Sequence, residues 1–149
     1  GEILVNGTDV SDAIRTPEVS MAASAVSAHP PVRAFLLETQ RGLARRQNVL
    51  MDGRDIGTVI LPNAQVKIFL TASPEERARR RFEELKARGE AVTYEQVLED
   101  VVQRDYNDTH RAAAPLKAAP DAVTVDTTGL TFDESFGALL RVIRARTEA

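Results

Sequence analysis

"VLMDGRDIGTVIL", residues 49–61, places three charged side chains directly after a short apolar run. The run "VLM" predicts the start of a buried strand, and Asp52, Arg54 and Asp55 follow it in a glycine-spaced loop. Open α/β sheets bind ligands at the carboxyl ends of their strands, so a polar loop in this position predicts a binding site. The stretch therefore indicates an α/β fold whose chemistry lies in this loop.

Two further strands are predicted downstream. "AQVKIFLTAS", residues 64–73, has an apolar density that predicts burial on both faces, as parallel sheets require. "DAVTVDTT", residues 121–128, predicts a third strand. Because helical segments long enough to cross over separate these strands, the order predicts a parallel sheet with helical layers.

Helix starts in this half of the chain carry strong local signals. Ser73-Pro74 followed by Glu76 predicts a capped helix from 74 to about 88 that stops at Gly89. Thr93 with Gln96 predicts a second helix that ends at about 104–106. In the same way, Thr131 with Glu134 predicts the last helix, which has an apolar stripe that includes Phe132 and Phe136.

The first 48 residues are predicted to be a hairpin followed by two helices. Asn6-Gly7 is a typical turn between short strands and predicts a hairpin over residues 2–10. Helices are predicted over 17–28 and about 31–46, because His29-Pro30-Pro31 interrupts the helical pattern between them.

Composition limits the class of protein. With 149 residues and 43% hydrophobic content, the chain is long enough for one compact domain. A net charge of -3 argues against nucleic acid or an anionic membrane as a partner, and no apolar run or signal-peptide pattern predicts membrane insertion or export. The lack of these patterns predicts a cytoplasmic location, and because the chain has no Cys and only two His, we expect no metal site of its own.

Two arginine-containing segments are candidates for phosphate binding. In the first, Arg54 could bind a phosphate while Asp55 accepts a hydrogen bond from a base amino group; the alternative is a local ion pair that closes a turn. The second is "RARRR", residues 77–81, which could stabilise transferred phosphoryl oxygens. Its alternative is a solvated helix face with the i,i+4 pairs Glu75–Arg79 and Glu76–Arg80.

Two further clusters are also candidates. If the helix in "QRDYNDTHR" continues, Arg104, Asp108 and Arg111 share one face, where they could hold a phosphate and a ribose hydroxyl or form a simple salt-bridge ladder. Ser24 and Arg33 are polar groups among small side chains and are a weaker indication. His29 and His110 are interpreted as structural residues rather than as bases.

Three stretches taken together resemble the bacterial cytidylate kinase family: "VNGTDVSDAIRTPEVSMAAS", "MDGRDIGTVILPNAQVKIFLTASPEERARRR" and "RDYNDTHRAAAPL". The resemblance implies a three-layer parallel sheet of the P-loop nucleoside monophosphate kinase type, within one partial kinase domain over residues 1–149. It implies a monophosphate-binding region over 1–48, core over 49–76 and 112–149, and a helical lid over 77–111. The family's first strand, phosphate-binding loop and first helix have no counterpart in this sequence.

The resemblance also implies roles at the acceptor site. Ser24, Arg33 and Asp55 match the positions that read the cytosine base. Arg54 and Arg111 match those that hold the CMP phosphate. Arg104 and Asp108 match positions near the ribose and phosphate.

At the donor side, the resemblance implies that Arg80 and Arg81 of the lid face the ATP phosphates and serve catalysis together with Arg54 and Arg111. The implied reaction transfers the γ-phosphate of ATP, with Mg²⁺, to CMP or dCMP. Because the loop that holds the β-phosphate and Mg²⁺ in the family is missing here, we expect little or no kinase activity from the chain as written. The alternatives are a non-catalytic nucleotide-binding module and a monophosphate kinase for another base.

The expected partners are these small molecules only. The family implies a monomeric full-length enzyme, while an open sheet edge in this shorter chain predicts self-association.

Overall fold

The computed structural model describes residues 1–148, which divide into two compact units, one over Gly1–Val49 and one from Leu50 onward. The first unit opens with an antiparallel hairpin of β1 (Leu4–Val5) and β2 (Thr8–Asp9). Asn6 and Gly7 between them have φ of 51° and 82°, the positive values that a tight hairpin turn requires. The predicted hairpin is confirmed, with strands of two residues each.

Two helices complete the first unit. A short 3-10 turn over Ala13–Arg15 precedes α1 (Pro17–Ser27), and α2 (Pro30–Arg46) follows. Both helices begin with proline in the first turn, where its missing N–H costs no hydrogen bond. The predicted helices are confirmed to within one residue at each end, and His29 lies at the start of α2 without a side-chain capping bond.

The second unit contains a two-stranded parallel sheet. β3 (Ile68–Thr71) pairs with β4 (Val123–Asp126), with Ile68 opposite Val123 and Thr71 opposite Asp126. Both strands lie within the predicted segments. The α/β class and the parallel pairing are therefore confirmed for a small sheet.

Two strand predictions are wrong. "VLM", residues 49–51, is not a strand, and its Leu50 is 91% exposed. A strand needs a partner to satisfy its backbone groups, and no segment within residues 1–148 pairs with these three residues. β3 is also not buried on both faces, since Leu70 is 55% exposed where it has β4 alone as a described neighbour.

A helical hairpin connects β3 to β4. It consists of α3 (Pro74–Ala87) and α4 (Tyr94–His110), and both predicted caps form: Ser73 accepts from the Glu76 amide, and Thr93 and Gln96 cap reciprocally. The hairpin has its own core, formed by the buried side chains of Ala78, Leu85 and Val97 and by half-buried neighbours that include Phe82, Tyr94 and Val101.

The ends of this hairpin differ in how well they were predicted. α3 stops where predicted, before Gly89, whose φ of +80° favours glycine. α4 continues to His110, beyond the predicted end at 104–106. The extension places Arg104 and Asp108 on one continuous helix, which the third candidate cluster requires.

The last helix, α5, spans Phe132–Thr147 and begins with the predicted capping box of Thr131 and Glu134. Phe132 and Phe136 of its apolar stripe stack with ring centroids 6.5 Å apart, yet remain 83% and 53% exposed. None of the helices in residues 1–148 has both the length and the apolar character needed to cross a bilayer.

Candidate functional site

The candidate site is a cluster of three arginines around the buried carboxylate of Asp108. Arg54 Nε donates to Asp108 Oδ2 at 2.9 Å. Arg104 Nε lies 3.9 Å from the same oxygen, and Arg111 Nη1 lies 3.8 Å from Oδ1. The structure thus joins the loop that follows residue 51 to the end of α4, so two segments that were predicted separately form one cluster.

The chain holds this cluster through local backbone geometry. Arg104 and Asp108 lie one turn apart on α4, and Arg111 lies just past its end in extended conformation. Arg111 Nε donates to the carbonyl of Ala114 at 2.8 Å, and its side chain is only 13% exposed. The carbonyl of Asp108 accepts from the Leu116 amide at 2.7 Å, so the segment after α4 folds back against the cluster.

Asp55 directly follows Arg54 in the sequence, and its side chain is buried. An unusual turn begins at the next residue. Residues Ile56–Ile60 form a single π-helical turn, in which the Asp55 carbonyl accepts from the Ile60 amide at 3.2 Å and the Ile56 carbonyl accepts from the Leu61 amide at 2.7 Å. Such turns are rare and occur frequently at functional sites. The turn fixes the backbone that carries Arg54 and Asp55, and nothing in the sequence pattern predicted it.

The electrostatics of the cluster favour an anion. Burial, and next the charge of Arg54, lower the pKa of Arg104, while the Asp108 carboxylate acts in the opposite direction. One carboxylate therefore faces three guanidinium groups, which leaves an excess of positive charge. Guanidinium forks bind phosphate oxygens in pairs, so the arrangement is suited to a phosphate group.

A cleft of about 450 Å³ adjoins the cluster within the second unit. Its lining includes Arg54, Arg77, Asp105 and the successive residues 66–71 of β3 and the segment before it. Of the arginine cluster, Arg54 lines this cleft, which runs along β3.

The arginines of "RARRR" have different surroundings. Arg80 donates to Glu76 at 2.8 Å, to the Thr127 carbonyl at 2.7 Å and to Thr127 Oγ1 at 3.2 Å, so it attaches α3 to the loop after β4. Arg81 donates to Glu84 at 2.9 Å, and its charge contributes to lowering the pKa of Arg104. In this structure, Arg81 is thus electrostatically coupled to the cluster, whereas Arg80 binds the loop.

The alternative interpretation of this run is correct in part. The predicted Glu76–Arg80 pair forms, with Arg80 Nε 2.8 Å from Glu76 Oε1. The predicted Glu75–Arg79 pair is replaced, because Arg79 reaches Glu76 at 2.8 Å and Glu83 at 2.7 Å. Arg79 therefore lies on a solvated face, as the surface-pair alternative expected.

Ser24 and Arg33 lie in the first unit, where α1 meets α2. Arg33 Nη1 donates to the carbonyl of Ser27 at 3.1 Å, and Ser27 Oγ donates to the carbonyl of Ser24 at 2.9 Å. Both Ser24 and Arg33 are half-buried. Their predicted role in reading the base remains a prediction.

One contact near the site was missed by sequence reasoning. Arg77 binds Asp105 with two hydrogen bonds of 2.8 and 2.6 Å, joining α3 to α4 directly beside Arg104. The available signal was weak, because an Arg and an Asp on consecutive helices are a common combination and their facing requires the hairpin geometry. Among residues 1–148, no group of three or more His, Cys, Asp or Glu side chains could hold a metal ion.

Fold and site together define an α/β protein with three arginines clustered around a buried carboxylate. The family model of cytidylate kinase matches residues 1–145. The chain belongs to the cytidylate kinase family.

Individual relatives agree with this assignment. The chain is 52% identical over 147 residues to a cytidylate kinase of Carboxydothermus hydrogenoformans, covering 99% of this chain and 66% of the relative. It is 48% identical over 142 residues to a cytidylate kinase of Fervidobacterium nodosum, covering 95% and 65%, respectively. A cytidylate kinase of Geobacter sp. strain M21 is 51% identical over 144 residues, covering 97% and 62%. The chain therefore spans about two thirds of the length of these relatives.

Proposed function

We propose that this chain is the acceptor-binding part of an enzyme that transfers the γ-phosphate of ATP to CMP or dCMP. The observation that carries this proposal is the cluster of Arg54, Arg104 and Arg111 around Asp108, in a member of the cytidylate kinase family. Arg54 and Arg111 would hold the acceptor phosphate. Arg104 and Asp108 would contact the phosphate and the ribose.

Recognition of the base falls to a second group of residues. The Asp55 carboxylate would accept a hydrogen bond from the amino group of cytosine, because it is buried next to the phosphate-binding Arg54. Ser24 and Arg33 would read the remaining base edge, as the family resemblance implies. A base that presents a hydrogen-bond acceptor in place of that amino group would meet the carboxylate oxygens with a second acceptor, so it would bind less well.

Catalysis in this proposal rests on positioning and charge neutralisation. An oxygen of the CMP phosphate is already nucleophilic at neutral pH, so no general base is required. Arg81, which is coupled electrostatically to Arg104, would extend the positive field toward the ATP phosphates, and Arg80 would join it on exchange of its contacts with Thr127. The segment over 77–111 would act as a lid that excludes water.

Magnesium would accompany ATP as its counterion in this class of reaction. Magnesium in kinase sites is held by one or two protein ligands together with waters and the substrate phosphates. The roles proposed for this chain's own residues are those of its arginines and Asp55. We also propose the three-layer parallel sheet of the family for the whole protein, with residues 1–48 as the monophosphate-binding region and 49–76 and 112–149 in the core, in a monomeric cytoplasmic enzyme.

Calorimetric titration with CMP, with AMP and inorganic phosphate as comparison ligands, tests acceptor binding. We expect CMP to bind more tightly than AMP, and Asp55→Asn to weaken CMP far more than inorganic phosphate. Arg111→Ala should weaken both ligands. Arg79→Lys is a matched control, since within residues 1–148 the ion pairs of Arg79 are with Glu76 and Glu83 on the solvated face of α3. Equal losses of CMP and phosphate in Asp55→Asn would refute the base contact.

A CMP-dependent ATPase assay separates the kinase from a binding module. We expect CMP binding without turnover from this chain, because no described residue supplies the family's phosphate-binding loop. Turnover at a rate typical of kinases would contradict this expectation. A preference for AMP or another monophosphate in the titration would instead favour a kinase for another base.

A further inference from the structure

Arg77 joins three elements at the base of the α3–α4 hairpin. Its Nε donates to the carbonyl of Ala72, just past β3, at 2.9 Å. Its Nη1 and Nη2 donate to the two carboxylate oxygens of Asp105 on α4 at 2.8 and 2.6 Å. A bidentate contact of this kind fixes both the distance and the relative orientation of the groups that it joins.

The position of Asp105 on α4 gives this contact a direct effect on the site. Asp105 is adjacent to Arg104 and lies less than one helical turn before Asp108. A rotation of α4 about its axis that separated Asp105 from Arg77 would therefore displace Arg104 and Asp108 as well. The orientation of these two side chains is set by the same contact.

The hydrophobic core of the hairpin does not extend to this end of α4. Val101, one turn before Asp105, is the last residue of α4 within the core cluster. Beyond it, α4 carries Arg104 and Asp108, and polar contacts join this part of the helix to its neighbours. The hydrogen bond between Arg54 Nε and Asp108 joins it to the loop, and the contact between Arg77 and Asp105 joins it to α3. These contacts, rather than apolar packing, therefore set the rotation of this end of α4.

We infer that Arg77 and Asp105 are a positioning pair, which holds α4 in the rotation that brings Arg104 and Asp108 to Arg54 before any ligand binds. The inference rests on the proposed function of the cluster as the acceptor-phosphate site. Neither residue needs to touch the ligand. The pair pre-organises the site and so lowers the cost of ordering three guanidinium groups around a phosphate.

Conservative variants separate this role from plain stability. Arg77→Lys keeps the positive charge but loses the bidentate geometry, and Asp105→Asn keeps the side-chain shape but loses the negative charge. Each should weaken CMP by about tenfold, the cost of one charge-assisted hydrogen bond, while the ratio of CMP to AMP affinity stays unchanged. The double variant should be no weaker than Arg77→Lys alone, because Asp105→Asn removes only a contact that Arg77→Lys has already lost.

The experiment combines calorimetry with NMR of the arginine Nε–H groups in the ligand-free chain. We expect both single variants to shift the Arg54 and Arg104 signals, whereas Arg79→Lys, in the same run of α3, leaves signals and affinity as in the wild type. Thermal melts identify a temperature at which every variant is folded. Unchanged arginine signals in folded Arg77→Lys and Asp105→Asn would overturn the positioning role.

The two arms also separate this inference from the proposed function. If wild-type chain binds neither CMP nor inorganic phosphate, the proposed function fails, and the ligand-free NMR signals still decide whether Arg77 and Asp105 organise the cluster. If CMP binds and the signals shift without any loss of affinity, the proposed function stands and the pre-organising role is refuted.

Discussion

The α3–α4 hairpin and the β3–β4 sheet lie in the same unit but satisfy their apolar surfaces differently. The hairpin buries Ala78, Leu85 and Val97 between its own two helices. The sheet leaves Leu70 of β3 55% exposed, and Phe132 of the following helix is 83% exposed. A helical hairpin can bury its apolar stripe against its neighbour in sequence, whereas a parallel sheet depends on neighbours from distant parts of the chain.

Removing a core side chain should show the largest difference between the two regions. Leu85→Ala should lower the free energy of unfolding by about 2–5 kcal/mol, because the side chain is 3% exposed and leaves a cavity. Leu70→Ala should cost about 0.5 kcal/mol or less, as is typical of surface positions. Urea unfolding followed by circular dichroism measures both values. Similar losses would mean that the sheet is covered in solution.

Capping variants sharpen the comparison at the level of single helices. Ser73→Ala removes the acceptor for the Glu76 amide at the start of α3, and should cost about 1 kcal/mol. Thr131→Ala removes the equivalent acceptor at the start of α5. Amide hydrogen exchange should show lost protection in α3 and α4 for the first variant and in α5 for the second. Loss spread evenly over both regions would indicate one cooperative unit.

Acid should weaken the hairpin through Glu76. Hydrogen bonds from Arg79 and then Arg80 hold the pKa of Glu76 below its ordinary value of 4.5. A carboxylate with a lowered folded pKa stabilises the fold above its unfolded pKa, and this contribution is lost as the pH falls through the folded pKa. Below pH 4.5, the free energy of unfolding should therefore fall less steeply with pH in Glu76→Gln than in the wild type. Glu99→Gln, on the exposed surface of α4, serves as the control. Parallel curves of unfolding free energy against pH for wild type and Glu76→Gln would contradict a role of Glu76.

The smallest effect on folding is expected at the exposed apolar side chains of the sheet region. Leu70→Lys and Phe132→Lys should change the free energy of unfolding by about 0.5 kcal/mol or less. They should nevertheless reduce self-association, because they interrupt exposed apolar surface. Sedimentation velocity over a range of concentrations measures this. If both variants associate as strongly as the wild type, the contact between copies lies elsewhere on the chain.

The same contrast explains which parts of the fold could be predicted from sequence. The starts of α3, α4 and α5 were predicted correctly because each cap depends on residues three positions apart. The end of α4 was not, because the polar residues after Val102 continue the helix without an apolar pattern. The strand at 49–51 was wrong because an apolar run does not show whether a partner strand is present.

The candidate site shows the same limit. The spacing of Arg104 and Asp108 indicated a shared helix face, and the loop with Arg54 was identified as a candidate from its position after an apolar run. That Arg54 reaches Asp108, and that Arg77 reaches Asp105, depends on tertiary structure and had no local signal. The π-helical turn after Asp55 likewise has no sequence pattern that marks it.

The connection from β3 to β4 bears on the order of folding events. Lys67 contacts Asp121 across 54 positions, Arg54 contacts Asp108 across the same separation, and both intervals enclose α3 and most or all of α4. Contacts that are close in sequence form faster than distant ones, because closing a long loop costs more chain entropy. We therefore expect the hairpin to form early and the phosphate site to appear late, when the long loops close. A partly folded chain would then carry its most stable helices without a site that can bind a nucleotide.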